Sequence, residues 1–191
     1  MNRLIGGLGA SNHADEERQE DDFYATEPKA VKLLLELEEF DDDIWECAAG
    51  KGHISEILED AGYNVVSSDL VDRGVDWIHT PIDFLKCNKN WRGDIITNPP
   101  YKHAQEFIEK ALELINDGNK VAMFLKIQFL ESQTRKQLFE KYPPKRVWIS
   151  SSRLFCAKNG EFHKYKATAL CYCWYIWIKG DNSVTQLKWF N

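Results

Sequence analysis

The stretch "GDIITNPPYKHAQEF", Gly93 to Phe107, carries a β-prone run into Asn98-Pro99-Pro100-Tyr101 and then takes up a helical pattern. That tetrapeptide has a chemistry of its own. The Asn98 side-chain carbonyl and the Pro99 backbone carbonyl both accept hydrogen bonds, and Pro99 and Pro100 stiffen the segment, so little entropy is lost when it is occupied. Two fixed acceptors close together suit one –NH2 group. Tyr101 can then stack on a planar ring that carries the amine. The lone pair of such a nitrogen is delocalised, which makes it a poor nucleophile. Gripping both of its hydrogens biases it towards a tetrahedral shape and returns electron density to the lone pair. With a strong methyl donor in line, transfer needs little beyond positioning and exclusion of water. The bland alternative is a turn closing a strand, with Tyr101 capping the core.

A second constellation lies upstream. "ECAAGKGHIS" follows a predicted strand and opens a predicted helix, in the pattern acid-x-x-x-Gly-x-Gly from Glu46 through Ala48 and Gly50 to Gly52. Glycines there allow a tight turn and close approach of a ligand, and the helix N-terminus offers free N–H groups. The third glycine of a dinucleotide fingerprint is absent, and Lys51 is followed by Gly52-His53 rather than Ser or Thr. An adenosine ligand without phosphates suits the pattern better. Asp69 closes the next predicted strand 17 residues beyond Gly52, where a carboxylate can accept both hydroxyls of a ribose. In "IDF", Asp83 is placed to meet an adenine amino group and Phe84 its ring face. Solvated loop acids are the alternative for either aspartate alone.

These residues need a frame. Residues 1–22 are charged and glycine-containing with almost no apolar spacing, and are expected to be disordered. Residues 23–191 are expected to form one domain, with 43% hydrophobic residues to build its core. "EPKAVKLLLELEEF" predicts a helix with Pro28 in its first turn. Strands are predicted at Ile44–Cys47, in "YNVVSSDL", near Val75–Ile78, in "RGDIITN" and in "NKVAMFLK". Helices are predicted over about His53–Ala61, about His103–Ile115 and "ESQTRKQLFEKY", the last halted by Pro143-Pro144. "KRVWISS" and "KATALCYCWYIWIKG" then read as two strands with no long helix between them. The expected architecture is α/β: a mostly parallel seven-stranded sheet with helices on both faces and one antiparallel C-terminal strand. In such a sheet the tetrapeptide falls at the carboxyl end of the fourth strand, beside the first, where ligands collect.

Charge and cysteine usage narrow the setting. The net charge of −6 hides an asymmetry: residues 1–125 hold 12 Lys/Arg against 26 Asp/Glu, and residues 126–191 hold 12 against 4. That division hints at a polyanion-binding face; the alternative is that the halves neutralise each other across the fold. Five cysteines form no CxxC pair, which favours reduced thiols in a cytoplasmic protein over a structural zinc. No apolar run approaches the roughly 20 residues of a membrane helix, and no secretory signal is visible. His53 and His163 have no metal-ligand company in the sequence and read as surface or hydrogen-bonded histidines.

From Phe23 to its C-terminus the chain resembles the class I S-adenosylmethionine-dependent methyltransferases, and specifically the adenine-specific amino-group DNA methyltransferases of the NPPY type. "FYATEPKAV" is similar to their N-terminal cofactor segment, "ECAAGKG" to the glycine loop, "SSDL" to the ribose acid, "IDF" to the adenine contact and "NPPY" to the catalytic tetrapeptide. The resemblance implies S-adenosyl-L-methionine as cofactor, held by Tyr24, Thr26, Glu46, Ala48, Gly50, Gly52, Asp69, Asp83, Phe84 and Asn98. It implies Asn98, Pro99, Pro100 and Tyr101 as the catalytic segment, holding a base rotated out of its helix. Two departures stand out. Glu27 intervenes between Thr26 and Pro28, and only 65 residues follow Lys126, too few for the large target-recognition domain common in the family. Target choice is therefore expected from short loops, a specificity partner or a homodimer. Besides Tyr101 and Lys102, the segment "SSSRLFCAKNGEFHKYK" supplies candidates: Arg153, Lys158, Lys164 and Lys166 for phosphates and Phe155 or Phe162 for stacking. An ordinary basic connection between edge strands is the alternative. The implied substrate is adenine in DNA; RNA base amines, a protein glutamine amide and a non-catalytic binding module are the other readings.

Overall fold

The structure, a computed structural model, describes residues 23–164 and 169–191. In chain order the elements are β1 (Tyr24–Thr26), α1 (Pro28–Leu37), β2 (Asp43–Glu46), α2 (His53–Asp60), β3 (Asn64–Ser67), β4 (Asp94–Thr97), α3 (Ala104–Leu114), β5 (Lys120–Lys126), α4 (Gln133–Lys141), β6 (Arg146–Ser150), β7 (Cys156–Lys158), β8 (Tyr172–Ile178) and β9 (Gln186–Phe190). Seven strands make one sheet in the order β3-β2-β4-β5-β8-β6-β9, and β1 pairs with β7 in a separate two-stranded ladder. Strands β3, β2, β4 and β5 run parallel, β8 is antiparallel to both its neighbours, and β9 is parallel to β6.

Why the central strands read as near-continuous apolar runs is plain from their surroundings. Both faces of the sheet are covered, so inward and outward side chains alike must be apolar. On one face Ile44, Ile96, Phe124, Trp174 and Ile176 pack against Val31 and Leu34 of α1 and Ile54 and Leu58 of α2. On the other, Trp45, Ile95, Val121, Met123, Tyr175 and Trp177 pack against Phe107, Ile108 and Ala111 of α3 and Leu138 of α4. Each such side chain removed from water contributes roughly 1.5–3 kcal/mol. The aspartate that begins β4 is polar for a local reason: Asp94 accepts from the Asp41 and Lys120 N–H groups at 2.8 and 2.6 Å and so ties the amino ends of the strands together.

Two expectations are corrected. No strand forms at Val75–Ile78, because the Ile78 N–H closes a turn on the Val75 carbonyl, and a single parallel bridge between Ser68 and His79 stands where a third strand was expected. Val75 and Trp77 alternate, but Trp77 is 43% exposed and the segment turns instead of extending. In addition, β8 is not the last strand. β9 follows it on the sheet edge, and its exposed Leu187 and Trp189 disguise it as a surface segment. The pairing of β1 with β7 was also not expected. Its register sets Thr26 opposite Cys156 and Tyr24 opposite Lys158, and the intervening Glu27 extends it through hydrogen bonds with Phe155 at both its N–H and its side chain.

Candidate active site

Asn98 follows the last residue of β4, so its side chain emerges at the carboxyl edge of the sheet. Its amide nitrogen donates to the Tyr24 carbonyl at 2.9 Å and lies 3.6 Å from the Cys156 sulfur. A backbone carbonyl can only accept, which settles which end of the amide is which. Oδ1 is left buried with no hydrogen-bond partner among the described residues. An unpaired acceptor so buried is an arrangement a fold keeps only at a cost. Pro99, a buried residue, follows Asn98 in the chain, and Pro100 gives its carbonyl to the His103 N–H at 2.8 Å, starting the short turn Tyr101–His103.

Tyr101 stands beside them. Its hydroxyl donates to the Cys156 sulfur at 3.5 Å, and its ring lies 6.4 Å from Tyr24 and 6.3 Å from Tyr172 between centroids. The Lys126 ammonium sits 4.7 Å from the ring centroid. Burial pushes the Tyr101 hydroxyl far above its ordinary range, with the neighbouring Cys156 acting in the same direction, so it is a neutral phenol at any working pH. The ring borders a cleft of about 340 Å³ lined by Lys102, Gln105, Glu106, Phe129, Thr134 and Arg135, within the range of roughly 300–1,000 Å³ typical of small-ligand sites.

The glycine loop between β2 and α2 lies on the adjoining strand. Gly50 and Gly52 hold φ of +60° and +85°, a backbone that side chains resist. Aromatic rings fill the space a side chain would take: a Cβ on Gly50 would fall 2.2 Å from the Phe23 ring, and one on Gly52 would fall 2.1 Å from the Trp77 ring. The half-buried Asp69 follows β3 and accepts from the Gly50 and Val71 N–H groups at 2.7 and 2.9 Å, which leaves further lone pairs on both oxygens. Thr26, brought over by the β1–β7 ladder, carries a buried hydroxyl without a partner among the described residues. Orphaned oxygens on Thr26 and Asn98, with a carboxylate beside the loop, fit an adenosine-bearing ligand rich in hydrogen-bonding groups. Ala48 is half-buried in the loop itself. Asp83 caps a short turn through the Leu85 N–H and pairs with Lys86 at 2.8 Å, and that hydrogen bond from Lys86 holds its carboxyl low.

Other placements differ from expectation. Phe84 is 2% exposed and packs between Trp45 and Phe107, at 5.1 and 5.0 Å; its ring is a core element and cannot lie against a ligand. Glu46 is fully buried, and its Oε2 accepts from both the N–H and the hydroxyl of Ser55. It thereby supplies the N-terminal cap of α2 that Gly52 cannot, which turns a ligand candidate into a support for the loop. His53 is half-buried between Phe23 and Phe162, its Nδ1 has no partner among the described residues, and burial lowers its pKa.

The basic segment is partly absorbed by the fold. Lys158 lies in β7, Phe155 and Phe162 pack edge to face at 6.0 Å, and Lys164 pairs with Glu161 at 2.7 Å. Arg153 and Lys102 are exposed, and Lys166 lies outside the described residues. Of the cations behind the C-terminal excess, Lys145 pairs with Asp181, Arg146 with Glu38, and Arg135 with three backbone carbonyls. Of these, Arg146–Glu38 joins the basic half to the acidic one, whereas Lys145–Asp181 lies within the basic half and the carbonyls around Arg135 are neutral, so most of the C-terminal excess is not cancelled by these contacts. Cys156, the shared neighbour of Asn98 and Tyr101, carried no signal in the sequence, because only the β1–β7 ladder brings it there.

No family model and no curated protein matches the sequence. Solved structures do match. A protein from Pyrococcus horikoshii, provisionally designated an RNA methyltransferase, is 18% identical with a TM-score of 0.58, over 82% of this chain and 86% of that one. A protein from Listeria monocytogenes, provisionally designated a class I S-adenosylmethionine-dependent methyltransferase, is 13% identical with a TM-score of 0.56, over 85% of this chain but only 63% of its own. A Lactococcus lactis protein provisionally designated a hemolysin is 12% identical with a TM-score of 0.56, over 83% and 86%. Likeness at such identities speaks of fold alone. The chain has the Rossmann-like fold of class I methyltransferases.

Proposed function

We propose that the protein is an S-adenosylmethionine-dependent methyltransferase that modifies the exocyclic amine of adenine in DNA. The observation that carries this reading is the buried Asn98 Oδ1, unpartnered among the described residues while the Tyr24 carbonyl pins the amide nitrogen; the Pro99 carbonyl, next in the chain, would be the second acceptor. These two oxygens accept the two hydrogens of a planar –NH2 group. Tyr101, bordering the cleft, gives the ring of the base a face to stack on. Thr26, Asp69 and Asp83 are the side chains that would hold the cofactor, with the Gly50–Gly52 loop beneath. When bound, S-adenosylmethionine supplies an electrophilic methyl group on a sulfonium. The chain's own contribution is orientation, water exclusion and fixed dipoles at the nitrogen as it becomes positive.

The designation of the Pyrococcus horikoshii structure favours a second reading, a base amine in RNA. Labelled cofactor offered with DNA, RNA and peptide pools separates the readings; label in peptide alone would remove nucleic acid from the account. Asn98→Ala should lower turnover by roughly 10²–10³, the magnitude of losing one preorganised dipole, while calorimetry finds cofactor affinity little changed. Loss of turnover and cofactor binding together would assign Asn98 to the scaffold instead.

A further inference from the structure

An asparagine serves as an acceptor only if its amide cannot turn, and one hydrogen bond does not prevent that. The Asn98 nitrogen carries two hydrogens. The Tyr24 carbonyl takes one at 2.9 Å, and the only other atom in reach among the described residues is the Cys156 sulfur at 3.6 Å. The same sulfur takes the Tyr101 hydroxyl hydrogen at 3.5 Å. Cys156 is 8% exposed, and its backbone is locked in the β1–β7 ladder opposite Thr26. One atom on a rigid strand therefore touches both polar side chains of the tetrapeptide.

We propose that Cys156 is a positioning residue: its sulfur, as a shared acceptor, fixes the Asn98 amide with Oδ1 directed at the amine and anchors the Tyr101 ring beside it. This rests on the amine-gripping reading of Asn98. Sulfur suits the task physically. It is large and polarisable, so it reaches two donors that an oxygen on the same Cβ would have to approach more closely. As a weak acceptor it does not draw the amide away from its main bond to Tyr24. Burial pushes the thiol up to about 11, against the hydrogen bond from Tyr101, so it remains a neutral acceptor and is not poised for oxidation or attack.

The competing account is that Cys156 only fills space in the core. Cys156→Ala removes the acceptor, Cys156→Ser retains a smaller one, and Cys156→Val fills the volume without one. Hydrogen exchange of the Asn98 side-chain amide, followed by nitrogen-15 NMR, should speed up roughly threefold to tenfold in the alanine and valine variants, as expected when one hydrogen bond is removed. The serine variant should fall between wild type and valine, because its oxygen sits farther from both donors than the sulfur does. On the substrate pool that takes label, kcat should fall roughly threefold to tenfold in the alanine variant, with the cofactor dissociation constant unchanged and partial rescue by serine. If alanine does not fold, valine against serine makes the same comparison. Equal exchange in the serine and valine variants would overturn the proposal. Absence of methyl transfer by the wild type on every pool would sink the functional reading, while the amide exchange would still decide the role of Cys156.

Discussion

Glu46 offers a quantitative test of how the glycine loop is built. Burial is the main influence on its carboxyl and raises the pKa from 4.5 to about 8; the Ser55 hydrogen bonds oppose this, and the charges of Asp69 and Glu56 add to it. In the unfolded chain the group is ionised at neutral pH, so folding must take up a proton. The associated stability is complete below pH 4.5 and is lost as pH rises to about 8. The loss proceeds at about 1.4 kcal/mol per pH unit and totals about 5 kcal/mol. Glu46→Gln keeps a carbonyl for Ser55 and has nothing to titrate. At pH 7 the variant should exceed the wild type by about 3 kcal/mol, and the two should converge near pH 4.5. Urea midpoints at half-unit intervals from pH 4.5 to 8 make the comparison, and the difference between the two curves isolates Glu46 from every other titrating group. Cofactor affinity should stay the same, because Oε2 already serves Ser55. Parallel curves for the two proteins would refute this account, and would mean that the α2 N-terminus holds the carboxylate ionised despite its burial.

Two further predictions concern the frame. Glu38 is 6% exposed and binds Arg146, Trp148 and Lys120; Glu38→Ala should cost about 2–3 kcal/mol in denaturant unfolding, since it removes charged hydrogen bonds from the partly exposed Arg146 and from Trp148, and a loss under 1 kcal/mol would contradict it. The glycines should divide by what surrounds them. A Cβ on Gly93 would lie 1.8 Å from the Asp43 carbonyl oxygen, a backbone atom in β2 that cannot move aside, whereas one on Gly52 meets the outer edge of the 43%-exposed Trp77 ring, which can swing out. Gly93→Ala should therefore leave little folded protein, and Gly52→Ala should lose only the roughly 1–2 kcal/mol of its left-handed backbone, as thermal melts would show.

The sheet, its helices and the register of Asn98 against the glycine loop were legible in the residues, because each rests on short-range information. Apolar periodicity names an element, Gly62 and Pro143 end one, and a loop acid after a strand can only sit at its carboxyl edge. Where spacing was ambiguous the reading failed: Val75 and Ile78 made a turn, and β9 hid behind exposed Leu187 and Trp189. Side-chain direction lay further out of reach. Phe84 and Asp83 are neighbours in one motif, yet packing turns the ring into the core and leaves the carboxylate near the surface. Glu46 reads as a ligand acid until Ser55 is seen to take it. The sequence alone determined which groups could grip an amine. Only the long-range β1–β7 pairing decided that Tyr24 and Cys156 would hold Asn98 by its nitrogen and leave its oxygen open, since residues some 130 positions apart carry no local trace of their contact.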